Sequence, residues 1–271
     1  MNIKDKVFLV TGGGSGIGRA LVLELIFKGA RVTTIDIDQT SLDETYQLAG
    51  QHKDRLTTYL VDITDLEAVK ALPEKVVADH GAVDAIINNA GIIQPFVRVN
   101  DLEYDDIRRV MEVNFFGTVQ VTKVFLPYLL ERPEASIANI SSMGSYAPVP
   151  GQTVYGAAKA AVKLFTEGLH SELMETNVGV TVIFQGSTNT NIAQNSGITG
   201  MGGGEEGGET QSEFKTMSPK EAAEQIVSAI EKDSYMAYVG SDARFMGFLS
   251  RLSPKLAARI IFNQMRSLLP D

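Results

Sequence analysis

Two side chains in the middle of the chain have the types and the spacing that proton transfer requires. Tyr155 and Lys159 are four residues apart in an alanine-rich stretch, so they share one face of a predicted helix. A phenol alone has a pKa of about 10, and a nearby ammonium lowers that pKa because it stabilises the phenolate. We therefore expect the pair to exchange a proton with an alcohol or ketone oxygen. Ser142, at the end of a predicted strand, can hydrogen-bond the same oxygen.

A second chemical feature is a glycine-rich run between the first predicted strand and the first predicted helix. Residues 11–18 read TGGGSGIG. Glycines at such a turn let backbone N–H groups approach a pyrophosphate, and the helix N-terminus offers unpaired donors and a partial positive charge. The run therefore predicts a dinucleotide-binding turn.

Asp36 closes the second predicted strand, about twenty residues after the turn begins. A carboxylate at this point accepts hydrogen bonds from the adenosine ribose hydroxyls and repels a 2′-phosphate. Arg19 and Arg31 are nearby in the sequence, but we expect Arg19 to face outward from its helix. The sequence therefore favours NAD over NADP as the cofactor.

The elements that must position these groups are short β-branched runs that alternate with longer helical stretches. The predicted strands are 6–10, 31–35, 57–61, 83–87, 135–140, 179–184 and 236–239. Their nearly continuous apolar character is typical of parallel strands that are covered on both faces, and the intervals between them are long enough for crossover helices. We predict an α/β fold of the Rossmann-like kind, a doubly wound, seven-stranded parallel sheet with helices on both faces.

Local signals mark several helix boundaries. Gly29 is expected to end the first helix, and Ser218-Pro219 to begin another with Glu221 in its first turn. Ser253-Pro254 is a similar start for a last helix, which we predict to run to about residue 269. Since no linker separates two cores, we predict a single domain over residues 1–271.

The composition excludes several classes of protein. The chain has 271 residues, a formal charge of −9 and no cysteine, so it has neither a disulfide framework nor a thiolate nucleophile. His52, His80 and His170 are scattered, and no metal site is predicted. The acidic balance argues against nucleic-acid binding, and without a long apolar run we predict no transmembrane segment and a cytoplasmic protein.

Several motifs in one order and spacing resemble the short-chain dehydrogenase/reductase family of the common single-domain type. They are TGGGSGIG at 11–18, Val61-Asp62, Asn88-Asn89-Ala90-Gly91, Asn114 in MEVNFFG, Ser142, Tyr155 and Lys159. The resemblance covers about residues 5–240. It implies an oxidoreductase that transfers a hydride with a nicotinamide cofactor.

The resemblance also implies a role for each residue of a catalytic tetrad. Tyr155 is expected to be the general acid for ketone reduction and the general base for alcohol oxidation, and Ser142 to orient the substrate carbonyl. Lys159 is expected to lower the pKa of Tyr155 and to bind the nicotinamide ribose. Asn114 is expected to hold a water molecule that links Lys159 to solvent.

The predicted cofactor contacts combine the glycine turn and Asp36 with positions that the resemblance supplies. They are Gly12, Ser15, Gly16, Ile17, Gly18, Asp36, Asp62, Ile63, Asn89, Ala90, Gly91, Tyr155, Lys159, Gly186, Thr188 and Thr190. The sequence departs from the family's pattern at Gln185, where the family usually has proline. A contact of Gln185 with the cofactor or substrate and a tolerated loop substitution both remain open.

The substrate side is predicted from the family pattern. A mobile substrate loop is expected at about residues 188–217, which contain many glycines. The pocket wall is expected to include Ile93, Gln94, Met143, Tyr146, Val149 and Gln152. Because that set is mostly apolar, we expect a hydrophobic secondary alcohol or ketone as the substrate.

The C-terminal residues form a basic, amphipathic helical extension at about 241–271. They carry five cations and two anions, a local charge of +3, which leaves −12 for the rest of the chain. Such a tail can lie on an anionic membrane surface, cover the substrate pocket or pack in an oligomer, and we favour packing. The resemblance implies a homodimer or homotetramer formed through the 100–130 and 155–175 regions.

Two other functions remain open at this point. One is an NADP-dependent 3-oxoacyl thioester reductase on the same fold, and the other is a dinucleotide-binding sensor without turnover. Asp36 argues against the first of these, and the intact set of four predicted catalytic residues argues against the second.

Overall fold

A seven-stranded, all-parallel sheet forms the centre of the molecule. The computed structural model describes residues 1–189, 192–198 and 216–269, and the structural statements below refer to those ranges. Their strands are β1 Val7–Thr11, β2 Arg31–Asp36, β3 Leu56–Leu60, β4 Ala85–Asn88, β5 Ala135–Ser142, β6 Val178–Gln185 and β7 Met236–Val239. The strand order is β3-β2-β1-β4-β5-β6-β7. The predicted doubly wound, Rossmann-like α/β fold is confirmed.

Helices cover both faces of this sheet. The helices within the described ranges are α1 Gly16–Phe27, α2 Gln39–Leu48, α3 Leu66–Lys70, α4 Leu72–His80, α5 Tyr104–Met111, α6 Thr118–Leu130, α7 Thr153–Leu173, α8 Ile192–Asn195, α9 Pro219–Glu231, α10 Ser241–Leu252 and α11 Pro254–Met265. Alternate residues of β1 point into two different cores, Phe8 and Val10 into one and Val7 and Leu9 into the other. Burial on both faces explains why the strands are almost continuously apolar.

Several strands extend further than their apolar residues alone predict. β4 continues to Asn88, and β5 and β6 continue until Ser142 pairs with Gln185. The predictions stopped short because these last residues are polar. They form the carboxyl edge of the sheet, where ligands bind in open α/β sheets.

The predicted helix boundaries are mostly confirmed. α1 ends at Phe27, and Gly29 follows with a φ of 89°. α9 begins with a complete capping box between Ser218 and Glu221. α11 begins at Pro254 as predicted, but the Ser253 side chain caps no backbone N–H there.

The C-terminal extension differs from a single long helix. It consists of α10 and α11, and α11 ends at Met265, before the predicted residue 269, with one turn of 3₁₀-helix at Arg266–Leu268 after it. Met246 and Ile261 of these two helices pack with Ala147 in a separate small core. Among the described residues, we find no helix with the length and apolar character that a bilayer crossing needs.

Candidate active site

The glycine turn after β1 brings the backbone of three segments into very close contact. A Cβ on Gly18 would lie 1.8 Å from the Gly12 carbonyl oxygen, and one on Gly12 would lie 2.9 Å from the Ala90 Cα. Gly12 also has a φ of 70°, which favours glycine. The Asn89 side chain holds the turn from the other side by donating to the Thr11 carbonyl oxygen at 3.0 Å. Residues larger than glycine at positions 12 and 18 would therefore prevent these backbone segments from approaching one another so closely.

The Asp36 carboxylate is fixed at the end of β2 by backbone donors. Its Oδ2 accepts from the Gly14 N–H at 2.9 Å, and its Oδ1 accepts from the Ile37 N–H at 2.8 Å. The expectation that Arg19 faces outward is wrong. Its guanidinium folds back to donate to the Gly14 carbonyl oxygen at 2.8 Å and pairs with Glu44 at 2.7 Å. Arg19 is thus already occupied by partners beside this carboxylate.

One cavity of about 940 Å³ joins the glycine turn to the chemical residues. Thirteen predicted residues line it, namely Gly12, Ser15, Gly16, Ile17, Gly18, Asp36, Asp62, Ile63, Asn89, Ala90, Gly91, Tyr155 and Lys159. Of the other predicted residues in the described ranges, Asn114, Ser142, Gly186 and Thr188 lie outside its wall. The six residues predicted for the pocket wall also lie outside it, namely Ile93, Gln94, Met143, Tyr146, Val149 and Gln152. Thr190 and residues 199–215 of the predicted substrate loop lie outside the described residues.

Tyr155 and Lys159 face this cavity from one side of α7. The Lys159 Nζ lies 5.9 Å from the centroid of the Tyr155 ring and donates to the Ile140 carbonyl oxygen at 2.9 Å. Lys159 is only 4% exposed, and this burial lowers its pKa to about 8, because desolvation disfavours the ammonium. The predicted pairing of a phenol and an ammonium on one helical face is present.

The electrostatics of Tyr155 differ from the expectation drawn from its spacing to Lys159. Burial raises the pKa of the Tyr155 phenol, because desolvation disfavours the phenolate. The group that lowers this pKa is Ser142, through a hydrogen bond to the Tyr155 side chain. In the protein without ligands, burial therefore outweighs stabilisation of the phenolate, and Tyr155 holds its proton.

Ser142 and its neighbour Ser141 connect the end of β5 to α7. The Ser142 Oγ accepts from the Gly144 N–H at 3.0 Å as well as bonding to Tyr155. The Ser141 Oγ donates to the Lys159 carbonyl oxygen at 2.8 Å. Ser141 was not predicted as a site residue, although it directly precedes the predicted residue Ser142 in the chain.

Asn114 lies in an irregular part of a long helical segment. Residues Glu112–Gly117 form a π-helix between α5 and α6, a feature that often occurs at functional sites. The buried Asn114 amide donates to the carbonyl oxygens of Ile92 and Val110, each at 2.9 Å. A Cβ on Gly91 would lie 2.7 Å from the Asn114 Oδ1 and 3.2 Å from the Lys159 Nζ. The Asn114 Oδ1 and the Lys159 Nζ therefore lie on the same side of Gly91, although Asn114 does not line the cavity.

Two glutamines predicted in the pocket wall instead support the start of α7. The Gln94 Oε1 accepts from the N–H groups of Val154 and Tyr155 at 2.8 and 3.1 Å. Gln152 donates through its Nε2 to the Gln94 carbonyl oxygen at 2.6 Å. Both side chains are buried and neither lines the cavity. They satisfy backbone donors that the first turn of a helix leaves unpaired.

Gln185 takes part in the cavity wall, unlike Gly186 and Thr188. Its Nε2 donates to the Thr188 hydroxyl, while its buried Oε1 has no partner among the described residues.

Asp242 of α10 accepts from the Ser187 N–H at 2.6 Å. A Cβ on Gly186 would lie 2.3 Å from the Asp242 Oδ1. The C-terminal extension thus holds the loop that follows β6.

The short segment at residues 192–198 covers part of the same cavity. Asn195 donates through its Nδ2 to the Ser15 Oγ at 2.7 Å, which joins this segment to the glycine turn. The Ser196 Oγ accepts from the Ile93 N–H at 3.0 Å. The described part of the predicted substrate loop therefore contacts the glycine turn and the segment that follows Gly91.

The other wall residues were not predicted as cofactor contacts, except that such a contact was left open for Gln185. They are Ile35, Ile37, Asp38, Ser41, Val61, Thr64, Ile92, Arg109, Glu112, Val113, Ile140, Ser141, Gln185, Ile192, Gln194 and Asn195. Most are chain neighbours of predicted residues, so their position along the chain was a signal. In the described ranges, no group of three or more His, Cys, Asp or Glu side chains could hold a metal ion.

Comparisons with known proteins agree with this arrangement. A family model described as short chain dehydrogenase matches residues 6–199. The chain is 35% identical over 270 residues to a putative oxidoreductase, SadH, of Mycobacterium tuberculosis, covering 96% of this chain and 95% of that protein. It is 34% identical over 194 residues to the 3-oxoacyl-[acyl-carrier-protein] reductase FabG of Thermotoga maritima, covering 72% and 78%. It is 32% identical over 232 residues to a fatty acyl-CoA reductase of Acinetobacter baylyi, covering 85% and 75%.

Solved structures show the same fold. A short-chain dehydrogenase from Burkholderia phymatum in complex with NAD superposes with a TM-score of 0.81 at 22% identity, covering 93% of this chain and 96% of that one. A short-chain dehydrogenase from Burkholderia cenocepacia in complex with NADP has a TM-score of 0.78 at 24% identity, covering 96% and 99%.

Proposed function

The chain belongs to the short-chain dehydrogenase family of oxidoreductases, and on that premise we propose that it interconverts a secondary alcohol and a ketone with NAD. The observation that carries the proposal is that Tyr155 and Lys159 open into the same cavity as the glycine turn. A hydride acceptor held by the turn would therefore lie in one continuous space with a proton-transfer group. A nicotinamide supplies that acceptor or donor when it is bound.

A dinucleotide fits the residues that are present. The glycine turn leaves backbone free of side chains at the start of α1, where helix N–H groups and the helix dipole favour a pyrophosphate. The cavity of about 940 Å³ extends from Asp36 at one end to Tyr155 and Lys159 at the other. The adenosine ribose hydroxyls of a dinucleotide would thus lie at Asp36, and its nicotinamide would lie at Tyr155.

In ketone reduction, the Tyr155 hydroxyl would donate its proton to the carbonyl oxygen while the carbonyl carbon receives a hydride. In alcohol oxidation the Tyr155 oxygen would accept the proton of the substrate hydroxyl while the carbinol carbon gives up a hydride. The raised pKa of Tyr155 keeps the phenol protonated in the protein without ligands, which is the form that reduction needs. The Ser142 hydroxyl, already bonded to Tyr155, would bind the same substrate oxygen.

Lys159 and Asn114 are proposed to support this proton transfer. The Lys159 ammonium would stabilise the phenolate as it forms and bind a ribose hydroxyl. The Asn114 Oδ1 and the Lys159 Nζ lie close together beside Gly91, which supports a path from Lys159 through bound water towards solvent. In the described chain, the Asn114 side chain hydrogen-bonds only backbone groups, those of Ile92 and Val110, and its carbonyl oxygen accepts from the Thr118 hydroxyl. Its role would therefore be to position that path.

The preference for NAD rests on Asp36. Its carboxylate lines the cavity and is held in one orientation by backbone N–H groups. It would therefore repel the 2′-phosphate of NADP. Arg19, whose guanidinium donates to the Gly14 carbonyl oxygen beside this carboxylate, is paired with Glu44. We expect Asp36→Asn to raise the affinity for NADP relative to NAD at least about tenfold. Asp43→Asn, which removes the same charge outside the cavity wall, should leave the ratio unchanged when both affinities are titrated.

A hydrophobic substrate is supported by the named relatives. Met143, Tyr146 and Val149, which follow Ser142, pack against the small core formed with α10 and α11 and do not line the cavity. The reductases among the relatives are named for an acyl-carrier-protein substrate and for a fatty acyl-CoA. An apolar alcohol or ketone is therefore the substrate class proposed here.

The second candidate is an NADP-dependent 3-oxoacyl thioester reductase, which the likeness to the Thermotoga maritima reductase favours. The test is to follow the absorbance of reduced nicotinamide with a panel of apolar secondary alcohols, ketones and a 3-oxoacyl thioester, each with both cofactors. The proposal predicts turnover of alcohols or ketones with NAD or NADH. Turnover of the thioester alone, with NADPH alone, would support the second candidate. Cofactor binding without any turnover would support a sensor.

A further inference from the structure

The exposed side of the two C-terminal helices combines large apolar side chains with cations. Five apolar residues of α10 and α11 are exposed to solvent, namely Phe245, Phe248, Leu252, Leu256 and Phe262. Phe248 and Leu252 are 65% and 68% exposed, more than most other large apolar residues in the described ranges. Spacings of three and four residues place Phe245, Phe248 and Leu252 on one face of α10.

Cations are interleaved with these apolar residues, and no exposed acidic residue accompanies them among residues 241–269, the described part of this extension. The exposed cations are Arg244, Arg251, Lys255, Arg259 and Arg266. None of the five forms an ion pair with another described residue. Asp242 is the single acidic residue in 241–269, and it is buried and bonded to the Ser187 N–H. We call this exposed side of α10 and α11 the C-terminal face.

We propose that the C-terminal face docks on the surface of an anionic lipid membrane. The whole chain carries −9, so the five uncompensated cations make this face opposite in sign to the rest of the molecule. Anionic headgroups attract such cations, while aromatic and aliphatic side chains enter the boundary between headgroups and acyl chains. One partner therefore satisfies both the cations and the exposed apolar side chains of this face.

A second copy of the chain fits this face less well. A twofold contact would set the same five cations opposite each other, at a cost from like-charge repulsion. A nucleic acid would pair with the cations but would leave the exposed Phe248 and Leu252 without an apolar environment. The charge and the apolar character together thus favour lipid.

Docking would bring the substrate side of the cavity close to the membrane. The Tyr146 hydroxyl donates to the Ala243 carbonyl oxygen at 2.6 Å, so α10 is attached to the segment that follows Ser142. Ala257 and Ile261 of α11 pack in the same small core as Ala147. An apolar substrate dissolved in the bilayer would therefore have a short path to the protein. The docking itself does not depend on the proposed reaction.

Binding of the full-length chain to vesicles tests the proposal. Sedimentation with vesicles of phosphatidylcholine alone is compared with sedimentation with vesicles that also contain phosphatidylglycerol, at low and high NaCl. Two double variants alter the C-terminal face, Phe248→Ser with Leu252→Ser and Lys255→Glu with Arg259→Glu. Matched controls change exposed residues elsewhere, Phe27→Ser and the pair Lys220→Glu with Lys232→Glu. Thermal unfolding checks that each variant folds.

The proposal predicts binding to the anionic vesicles and at least about tenfold weaker binding to the neutral ones. High salt should weaken the binding, because it screens the cations. Each double variant of the face should reduce partitioning at least about tenfold, while the controls bind like the wild type. Absence of binding to anionic vesicles would overturn the proposal even if a variant failed to fold. So would binding that the face variants leave unchanged, or a salt-insensitive dimer that the same variants dissociate.

Discussion

At the residue scale, the site depends on how burial affects two groups that face one cavity. Lys159 is almost completely buried, and its pKa falls to about 8, while burial raises the pKa of Tyr155. Both shifts favour the neutral form of the side chain. Below about pH 8 the phenol therefore keeps a proton that it can give, while Lys159 is still an ammonium.

The low pKa of Lys159 predicts a pH dependence of stability. Below about pH 8 both the folded and the unfolded chain hold this proton, and the folded protein bears the full cost of the buried ammonium. Between about pH 8 and 10.5 the unfolded chain holds the proton and the folded chain has lost it, so the free energy of unfolding rises with pH.

The Lys159→Met variant should lack this rise. Urea unfolding of the ligand-free proteins across that pH window should give a difference between wild type and variant that changes by about 3 kcal/mol. Lys163→Met, one turn further along α7, controls for the loss of a lysine. Parallel curves for wild type and Lys159→Met would contradict the depressed pKa.

At the element scale, the turn between β1 and α1 is determined by backbone proximity. Gly18→Ala would force a methyl group to within 1.8 Å of the Gly12 carbonyl oxygen. We expect this variant to weaken binding of the dinucleotide at least about tenfold and to lower the free energy of unfolding by about 1–3 kcal/mol. Fluorescence titration with NADH and urea unfolding measure the two effects.

A matched control is available in α7. A Cβ on Gly168 would meet nothing within 4 Å, so Gly168→Ala is expected to leave dinucleotide binding unchanged and to be neutral or slightly stabilising. Equal effects of the two substitutions would show that close approach at Gly18 is not what determines the turn.

The sequence predicts best the features whose residues lie close together in the chain. The glycine turn and the pair Tyr155 and Lys159 are local patterns, and both line the same cavity. The support of α7 by Gln94 was not predicted, because the donor and acceptor are about sixty residues apart. The bond from Asn195 to Ser15 joins positions 180 residues apart, which no periodicity reveals.

At the scale of the whole molecule, the seven-stranded order and the two packed faces follow from alternation of strands and helices. The C-terminal extension was expected to be amphipathic and to contain a helix that starts at Pro254, but its contact with the loop after β6 was not expected. That contact arises from long-range packing, so composition alone could not predict it.

Assembly of the molecule is predicted to involve helices α5 to α7. Tyr104, Phe116 and Leu164 on these helical segments are 75%, 45% and 68% exposed, which is typical of surfaces that bind another subunit. We expect a homodimer or homotetramer, and Leu164→Glu should shift it towards monomer. Light scattering after size-exclusion chromatography measures the mass, with the exposed Leu48→Glu on α2 as control. A monomeric wild type, or an oligomer unaffected by Leu164→Glu, would contradict this interface.

The central claim is that the Tyr155 hydroxyl transfers the proton that accompanies hydride transfer. The most direct measurement compares wild type and Tyr155→Phe for kcat of alcohol oxidation with NAD and for Kd of NADH, with Tyr235→Phe as control. We expect Tyr155→Phe to lower kcat about 10²–10⁴-fold while the Kd for NADH stays within about threefold, and the control to match the wild type. A Tyr155→Phe enzyme that retains the wild-type kcat would contradict it.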